Sequence, residues 1–313
     1  MRAFAIDRFE EPGAVRELPT PEPEEGEVLL HVRAAGMNAF DVAVAKGFIK
    51  DAMEHRFPVI PGLDASGVIE AAGAGVDAPS VGDEVYGIVQ KPFLGRGTYA
   101  EYVAMPAGGA TRKPASLDHL GAAALPTAAL TALAAVEMTD PREGQIVLVI
   151  GATGGVGSYV TQLAATRRAR VVAVARGDYA EYARTLGASD TIDYTAGDLV
   201  ELVRAAYPGG VDAVIDLAGD KELVARLAEL VSSGGALASS VGAVDDALVE
   251  RRGLRGGNAN RAGLDRLPEL TPLVEEGVLR IPELRVFPLH QAGEALDELA
   301  GRHVKGKLVL QVS

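Results

Sequence analysis

The sequence predicts an α/β protein with a β-rich domain and a second domain built on a doubly wound parallel sheet. Three observations carry this prediction. Five apolar residues, Ile146–Ile150, precede glycines at positions 151, 154 and 157 and then a helical pattern. Strand and helix patterns alternate from there to residue 239, which is typical of parallel sheets. Before residue 117 the chain instead has short strand patterns separated by turn sequences.

The elements of the β-rich domain come first along the chain. Extended patterns cover residues 3–6, 27–34, 65–71, 84–89 and 98–103. Asn38 is suited to the N-cap of a helix over the following FDVAVAKG. An alanine-rich helical stretch spans 118–137 and is interrupted at Pro126, because proline lacks the N–H that a helix interior needs.

The parallel sheet is predicted from apolar strands alternating with amphipathic helices. The strands are 146–150, 170–175, 191–193, 211–216 and 235–239, and the helices are 155–167, 178–186, 197–206 and 220–231. After Asn260 we expect helices over 264–276 and 290–301 and a final strand, KLVLQV. Because this tail is similar in texture to the first domain, we expect the parallel-sheet domain to be inserted into the β-rich one.

The composition of the chain excludes several classes of function and site. The 313 residues are 48% hydrophobic and 23% charged, as in globular proteins. A net charge of −13 argues against nucleic acid as a partner, and the lack of cysteine excludes disulfides and thiolate metal sites. The N-terminus has no apolar signal core and no apolar stretch reaches 18 residues. We therefore expect a cytoplasmic protein without a membrane partner.

The strand–glycine–helix segment predicts a dinucleotide site. Its glycines let the backbone approach a pyrophosphate, and the helix N-terminus offers free N–H groups and a positive dipole end. We expect contacts from each residue of the turn, namely Gly151, Ala152, Thr153, Gly154, Gly155, Val156 and Gly157. A β-branched residue at Gly154 would fill the phosphate volume and demand a disfavoured backbone angle.

The end of the second strand of this sheet indicates the cofactor. An NAD enzyme has a carboxylate there, about 20 residues after the glycines, to hold the ribose hydroxyls. Here the residue is Arg176, whose planar guanidinium suits a phosphate, so we expect NADPH. Asp178 lies two residues further on and is interpreted as a helix cap.

Motifs spread over the chain resemble the zinc-independent quinone oxidoreductases of the medium-chain dehydrogenase/reductase (MDR) superfamily. They are VRAAGMNAFD (32–41), PGLDASGVIEAAGAGV (61–76), VGDEVYG (81–87), GTYAEYV (97–103), LPTAALTA (125–132), GATGGVG (151–157), LGASDTIDY (186–194), VDAVIDLAG (211–219) and GRHVKGKLVL (301–310). The resemblance implies a GroES-like catalytic domain over 1–117, completed by 261–313, and a Rossmann domain over 118–260. It also implies a homodimer.

The same comparison predicts a metal-free enzyme. Zinc-using relatives have a cysteine where this chain has Met37-Asn38, and a His-Glu pair where it has Leu63-Asp64. Zinc catalysis needs three protein ligands, and the five histidines here are scattered without paired spacing.

The resemblance also implies roles for single residues. Asn38 and Thr131 are expected beside the nicotinamide as catalytic residues, with Asp41 bracing the loop around Asn38. Tyr194 and Arg302 are expected at the adenosine phosphate. The nicotinamide ribose and carboxamide are expected to contact the backbone of five residues, Leu217, Ala218, Gly219, Ser240 and Val241.

The function implied is NADPH-dependent hydride transfer to a quinone or an α,β-unsaturated carbonyl. A conjugated acceptor delocalises its own charge and needs no Lewis acid, unlike a simple alkoxide. Two alternatives stay open. One is an enoyl-thioester reductase, for which the basic segment 250–255 would hold a pantetheine phosphate, and the other is a non-catalytic NADPH-binding sensor or partner protein.

Overall fold

The computed structural model describes residues 1–301 and 304–313, which form two units. We call Met1–Thr127, Gly263–Gly277 and Glu283–Ser313 the β-rich unit, and Ala128–Ala262 with Val278–Pro282 the parallel-sheet unit. The boundary predicted at residue 117 falls inside the β-rich unit, and the domain assignment itself stays a prediction.

The N-terminal part of the β-rich unit consists mainly of strands. These are β1 (Arg2–Ala5), β2 (Ala14–Glu17), β3 (Glu27–Gly36), β4 (Glu54–Ile60), β5 (Asp64–Ala72), β6 (Glu84–Ile88), β7 (Phe93–Arg96), β8 (Tyr102–Pro106) and β9 (Ala110–Arg112). Its helices are α1 (Ala39–Lys46), a 3-10 turn at Ala107–Gly109 and α2 (His119–Ala123), after which α3 (Pro126–Thr139) begins.

The parallel-sheet unit alternates strands and helices as predicted. Its elements are β10 (Ile146–Ile150), α4 (Gly155–Thr166), β11 (Arg170–Ala175), a 3-10 turn (Gly177–Tyr179), α5 (Ala180–Thr185), β12 (Asp190–Asp193), α6 (Leu199–Ala206), β13 (Val211–Asp216), α7 (Lys221–Ala228), β14 (Val231–Ser239), α8 (Asp246–Arg252) and β15 (Arg255–Asn258). Within the described residues the six strands form one parallel sheet of order β12-β11-β10-β13-β14-β15. Aliphatic residues of β10, β11 and β13, such as Leu148, Val172 and Val214, form its core.

The tail returns to the β-rich unit. It comprises a 3-10 helix (Leu264–Glu269), α9 (Leu270–Glu275), β16 (Leu284–Pro288), a 3-10 turn (Leu289–Gln291), α10 (Ala292–Ala300) and β17 (Lys307–Gln311). The main sheet has the order β16-β17-β3-β5-β6-β9, with β8 also paired to β3. At its centre Gly36 lies opposite Val309 on one side and Asp64 on the other. This register brings the start of α1 beside β5 and β17.

Two predictions about elements need correction, and several strands were missed. The strand expected at 98–103 begins at Tyr102, because the N–H groups of Thr98 and Tyr99 bond to carbonyls of Gly62 and Pro61 in a turn. The helix expected at 264–276 is 3-10 to Glu269 and α-helical only from Leu270, with Pro268 at the change. Several short strands, β2, β4, β7, β9 and β15, were not predicted because they lack a clear apolar alternation.

Among the described helices, none has the length and apolar character that a membrane crossing requires.

Candidate functional site

The glycine turn of the parallel-sheet unit lies between β10 and α4. Gly151 has φ 76°, a left-handed conformation that favours glycine. A Cβ on Gly157 would collide with the carbonyl oxygen of Gly151, so this glycine permits the close approach of helix and strand. Gly154 is the N-cap of α4, with φ −80° and ψ −178°. The disfavoured angle predicted there is wrong, because this extended conformation suits any residue.

The first turn of α4 is suited to an anion. The N–H groups of Gly155, Val156 and Gly157 open the helix, where no intrahelical acceptor exists. The first turn contains no acidic residue, so the positive end of the helix dipole is not neutralised there. Ala152 and Thr153 complete the turn and are buried.

Arg176 directly follows β11, at the position that the spacing predicts. Its Nε and Nη2 donate to the two carboxylate oxygens of Asp178 at 3.1 and 3.3 Å, and this pairing raises the pKa of Arg176. Both side chains are about half exposed, so the guanidinium is accessible. Tyr194 follows the neighbouring strand β12, and its N–H bonds to the carbonyl of Ala175 at 3.4 Å. Arg302, expected at the same phosphate, lies outside the described residues.

A buried carboxylate that sequence reasoning missed organises the ends of β13 and β14. Asp216 is fully buried. Its Oδ1 accepts from the N–H of Gly219 at 2.6 Å, and its Oδ2 accepts from the hydroxyl of Ser239 at 2.7 Å. The Ser239 oxygen in turn accepts from the N–H of Val241 at 3.2 Å. These bonds fix the segments 217–219 and 240–241.

The predicted binding residues of this unit share one edge of the sheet. Because β10, β11, β13 and β14 are parallel, their carboxyl ends meet at the same edge. There the glycine turn follows β10, Arg176 follows β11, and segments 217–219 and 240–241 follow β13 and β14. The strand order reverses between β10 and β13, and ligands of doubly wound sheets bind outside such a reversal. Thr131 lies in α3 of the same unit and is buried.

Asn38 belongs to a buried polar cluster in the β-rich unit. It is the N-cap of α1 and only 8% exposed. Its Oδ1 accepts from the Nζ of Lys307 at 2.6 Å, and its Nδ2 donates to Oδ2 of Asp64 at 3.1 Å. Lys307 Nζ lies 3.9 Å from that Asp64 oxygen. Asp64 also accepts from the Thr127 hydroxyl at 2.6 Å. We call Asn38, Asp64, Thr127 and Lys307 the Asn38 cluster.

Charge in the Asn38 cluster is shielded from water. Asp64 is fully buried and Lys307 is 4% exposed. Burial raises the pKa of Asp64, and the opposing effect of the Lys307 charge is the largest of those that lower it. Burial lowers the pKa of Lys307, while Asp64 and Asp41 oppose that change. Paired burial of this kind stabilises only when each group is hydrogen-bonded, as Asp64 and Lys307 are.

Asp41 braces the loop at Asn38, as expected. Its Oδ2 accepts from the backbone N–H of Asn38 at 2.8 Å and from the Tyr99 hydroxyl at 2.9 Å. Its Oδ1 is buried without a hydrogen-bond partner. Burial raises the pKa of Asp41 to about 7, against the effect of these two bonds and of Lys307. Burial and the adjacent Asp41 raise the pKa of Tyr99 far above its usual value.

A serine, a histidine and a glutamate also meet in the β-rich unit, without forming a nucleophilic triad. His119 Nδ1 is 2.8 Å from Ser66 Oγ, and its Nε2 is 3.4 Å from Glu84. The Ser66 hydroxyl donates to the carbonyl of Val85 at 2.8 Å, so its proton is directed away from the histidine. Ser66 is also fully buried and offers no surface to a substrate. Burial lowers the pKa of His119.

Sequence reasoning placed the glycine turn and Arg176 at one edge, and missed most of the Asn38 cluster. Asp64 lies in PGLDASG and Lys307 in GRHVKGKLVL, and both are charged residues at the start of largely buried strands, β5 and β17. A charge in an otherwise buried strand signals a partner, because Asp and Lys are seldom buried unpaired. The partner itself could not be identified without the sheet register.

Two family models match the chain. One described as an alcohol dehydrogenase GroES-like domain matches residues 24–115, and one described as a zinc-binding dehydrogenase matches residues 186–310. Within the described residues, no group of three His, Cys, Asp or Glu side chains is arranged to hold a metal ion.

Similar proteins cover almost the whole chain. An NADPH-dependent alkenal/one oxidoreductase of Arabidopsis thaliana chloroplasts is 32% identical over 93% of this chain and 73% of its own. The solved quinone oxidoreductase of Coxiella burnetii is 31% identical with a TM-score of 0.90, covering 100% of this chain and 99% of that one. A solved NAD-dependent alcohol dehydrogenase is 33% identical with a TM-score of 0.88, covering both chains fully. The chain therefore belongs to the medium-chain dehydrogenase/reductase superfamily, within its quinone oxidoreductase branch.

Proposed function

We propose that this chain is an NADPH-dependent oxidoreductase that transfers hydride to a quinone or an α,β-unsaturated carbonyl without zinc. The observation that carries the proposal is the carboxyl edge of the parallel sheet. There a glycine turn, a helix N-terminus and an exposed arginine follow neighbouring strands. The names of the similar alkenal/one and quinone oxidoreductases support the same class of acceptor.

The residues at this edge fit a dinucleotide. A Cβ at Gly157 would collide with the carbonyl oxygen of Gly151, so this glycine lets α4 start close to the turn, and the first N–H groups of α4 suit a pyrophosphate. Arg176 and Tyr194 would hold the adenosine phosphate, and segments 217–219 and 240–241 the nicotinamide end. When bound, NADPH supplies the hydride, so the chain's own work is binding, orientation and exclusion of water. Asn38 and Thr131 would donate hydrogen bonds at the nicotinamide end and to the acceptor oxygen.

The chemistry of the Asn38 cluster does not fit a zinc ion. Asn38 and Asp64 belong to the dipeptides Met37-Asn38 and Leu63-Asp64, where zinc-using relatives have a cysteine and a His-Glu pair. Their oxygens are engaged by Lys307, whose Nζ lies 2.6 Å from Asn38 Oδ1 and 3.9 Å from Asp64 Oδ2. The ammonium group thus occupies the side-chain acceptor of Asn38 and, beside Asp64, repels a second cation. This arrangement supports hydride transfer to acceptors that need no Lewis acid.

The alternative of a thioester reductase receives less support. It requires a basic groove at 250–255, but Arg252 donates to the carbonyl of Glu229 at 3.2 Å and pairs with the Glu229 carboxylate. Arg255 donates to the carbonyls of Gly234 and Thr139 at 3.4 Å. Two of the three guanidinium groups in this segment are thus engaged with backbone carbonyls of the chain itself.

The proposal is tested by following NADPH and NADH oxidation with a panel of acceptors. The panel contains a benzoquinone, an ortho-quinone, an unsaturated aldehyde, an enoyl thioester, and a saturated ketone as the control. We expect turnover with the quinones and the unsaturated aldehyde, faster with NADPH, and none with the saturated ketone. Tight NADPH binding without turnover on any acceptor would favour the non-catalytic alternative instead.

Two further expectations stay predictions, namely a homodimer and a cytoplasmic location. Light scattering at working concentration determines the first, and fractionation of the source cells determines the second. A monomer by scattering would contradict the predicted assembly without touching the proposed activity.

A further inference from the structure

Lys307 is the least expected member of the Asn38 cluster. Lysine is almost never buried unless it is paired, yet this side chain is 4% exposed at the start of β17. Its Nζ donates to the side-chain oxygen of Asn38 at 2.6 Å and is farther from Asp64, at 3.9 Å. The shortest contact of the lysine is therefore with the amide and not with the carboxylate.

The two contacts of the Asn38 amide permit one orientation. An ammonium or amine donor requires an acceptor, so the atom facing Lys307 is Oδ1. The Asp64 carboxylate requires a donor, so the atom facing it is Nδ2, at 3.1 Å. Asp64 is itself fixed by the hydroxyl and the backbone N–H of Thr127, at 2.6 and 3.2 Å. Turning the amide over would place donor against donor on one side and acceptor against acceptor on the other.

We propose that Lys307 is a positioning residue that holds the Asn38 amide with one Nδ2 N–H committed to Asp64 and the second available to the oxygen of the acceptor. The inference rests on the proposed function, in which Asn38 touches the acceptor. An amide nitrogen has two N–H groups, and Asp64 uses one of them. A donor fixed before the reaction stabilises developing negative charge on an oxygen without reorganisation, which is worth about 10²–10³ in kcat where it has been measured.

The test is a double-mutant cycle between Lys307→Met and Asn38→Ala. Methionine keeps an unbranched side chain of similar shape, one atom shorter, in the buried site and removes the donor. We expect each single variant to lower kcat by about 10²-fold, with KM for the acceptor and the Kd for NADPH changed by less than about threefold. The double variant should be no slower than Asn38→Ala, because Lys307 acts through that residue. A kcat for Lys307→Met near wild type, or multiplied losses in the double variant, would overturn the proposal.

Lys113→Met is the matched control. Lys113 is a second buried lysine of the same unit, and its Nζ donates to the carbonyl of Leu117 at 2.6 Å and pairs with Glu84 at 3.3 Å. Losing a purely structural lysine should lower thermal stability and leave kcat unchanged. An equal fall in kcat for Lys113→Met would mean that general destabilisation explains both variants. Lys307→Gln keeps a donor and should recover part of the rate, and it carries the test if Lys307→Met does not fold.

A readout without turnover separates this inference from the proposed function. The chain contains three asparagines, Asn38, Asn258 and Asn260, so 15N-asparagine labelling gives three side-chain amides, and Asn38→Ala identifies its own. We expect the Asn38 amide protons to exchange slowly in wild type and to shift and exchange faster in Lys307→Met. Unchanged signals would overturn the positioning role. Changed signals in a protein that reduces no acceptor would contradict the proposed function alone.

Discussion

At the residue scale, the proposed preference for NADPH depends on one arginine. Arg176 is half exposed at the end of β11 and is held by Asp178 through two hydrogen bonds. These bonds hold the guanidinium group of Arg176 in one orientation at the edge of the sheet. A phosphate would compete with Asp178 for that group, whereas a free ribose hydroxyl would not displace it.

We predict that Arg176→Ala weakens NADPH binding by about 1.5–3 kcal/mol, the scale of a hydrogen bond to a charged group. NADH binding should barely change, because NADH lacks the phosphate. Calorimetric titration with both cofactors measures the difference. Arg184→Ala is the control, since Arg184 is also exposed and paired, with Glu181 at 3.4 Å. Equal losses for the two cofactors would contradict the assignment.

The raised pKa of Asp41 predicts that the stability of the fold depends on pH. Its pKa is raised by burial from 3.8 to about 7, so the folded protein holds a proton there that the unfolded chain has released. The contribution of Asp41 to the free energy of unfolding is fully present below about pH 4. It falls by up to about 4 kcal/mol as the pH rises to about 7. Asp41→Asn should flatten this part of a denaturation series over pH. A slope that is the same in the variant would contradict the prediction.

At the scale of the elements, the glycine turn and its helix act together. Gly151 needs its left-handed angle and Gly157 needs its missing Cβ, so both serve the packing of β10 against α4. Gly154 has an extended backbone that does not require glycine. The close packing of helix and strand therefore fixes where the first N–H groups of α4 point.

Gly154→Val therefore separates binding from folding. Its backbone angles suit valine, and the apolar faces of β10 and α4 are untouched, so circular dichroism should stay near wild type. NADPH titration should be flat, because the new side chain would occupy the phosphate volume. Gly197→Val, at an open position of the same unit, is the control and should bind normally. A folded Gly154→Val protein with near-native affinity would show that the nucleotide site lies elsewhere.

Elements that depend on local sequence could be predicted, and those that depend on distant pairing could not. The strand–glycine–helix segment is contained in residues 146–166, and its spacing alone indicates its chemistry. The Asn38 cluster joins residues 269 positions apart, so no window of sequence contains it. Short edge strands such as β7 and β15 exist because a neighbour pairs with them, which local pattern does not reveal.

At the scale of the whole molecule, we predict indifference to chelators. A lysine donates to the side-chain oxygen of Asn38, and the chain has no cysteine. Prolonged treatment with EDTA should leave both the melting temperature and the rate of acceptor reduction unchanged. One zinc per chain by elemental analysis, with activity lost on its removal and regained on its return, would contradict this.

The pairing of β17 with β3 has a consequence for biosynthesis. A ribosome makes β3, β5 and Asn38 early, but Lys307 and the strand that covers β3 come 269 residues after Asn38. Until then Asp64 has no cation beside it, and one side of the central sheet is open to other strands. The parallel-sheet unit, whose chain is nearly contiguous, can fold first, while the β-rich unit waits for the last segment. Nascent chains stalled before residue 307 should thus protect the parallel-sheet unit from protease and leave the β-rich unit sensitive.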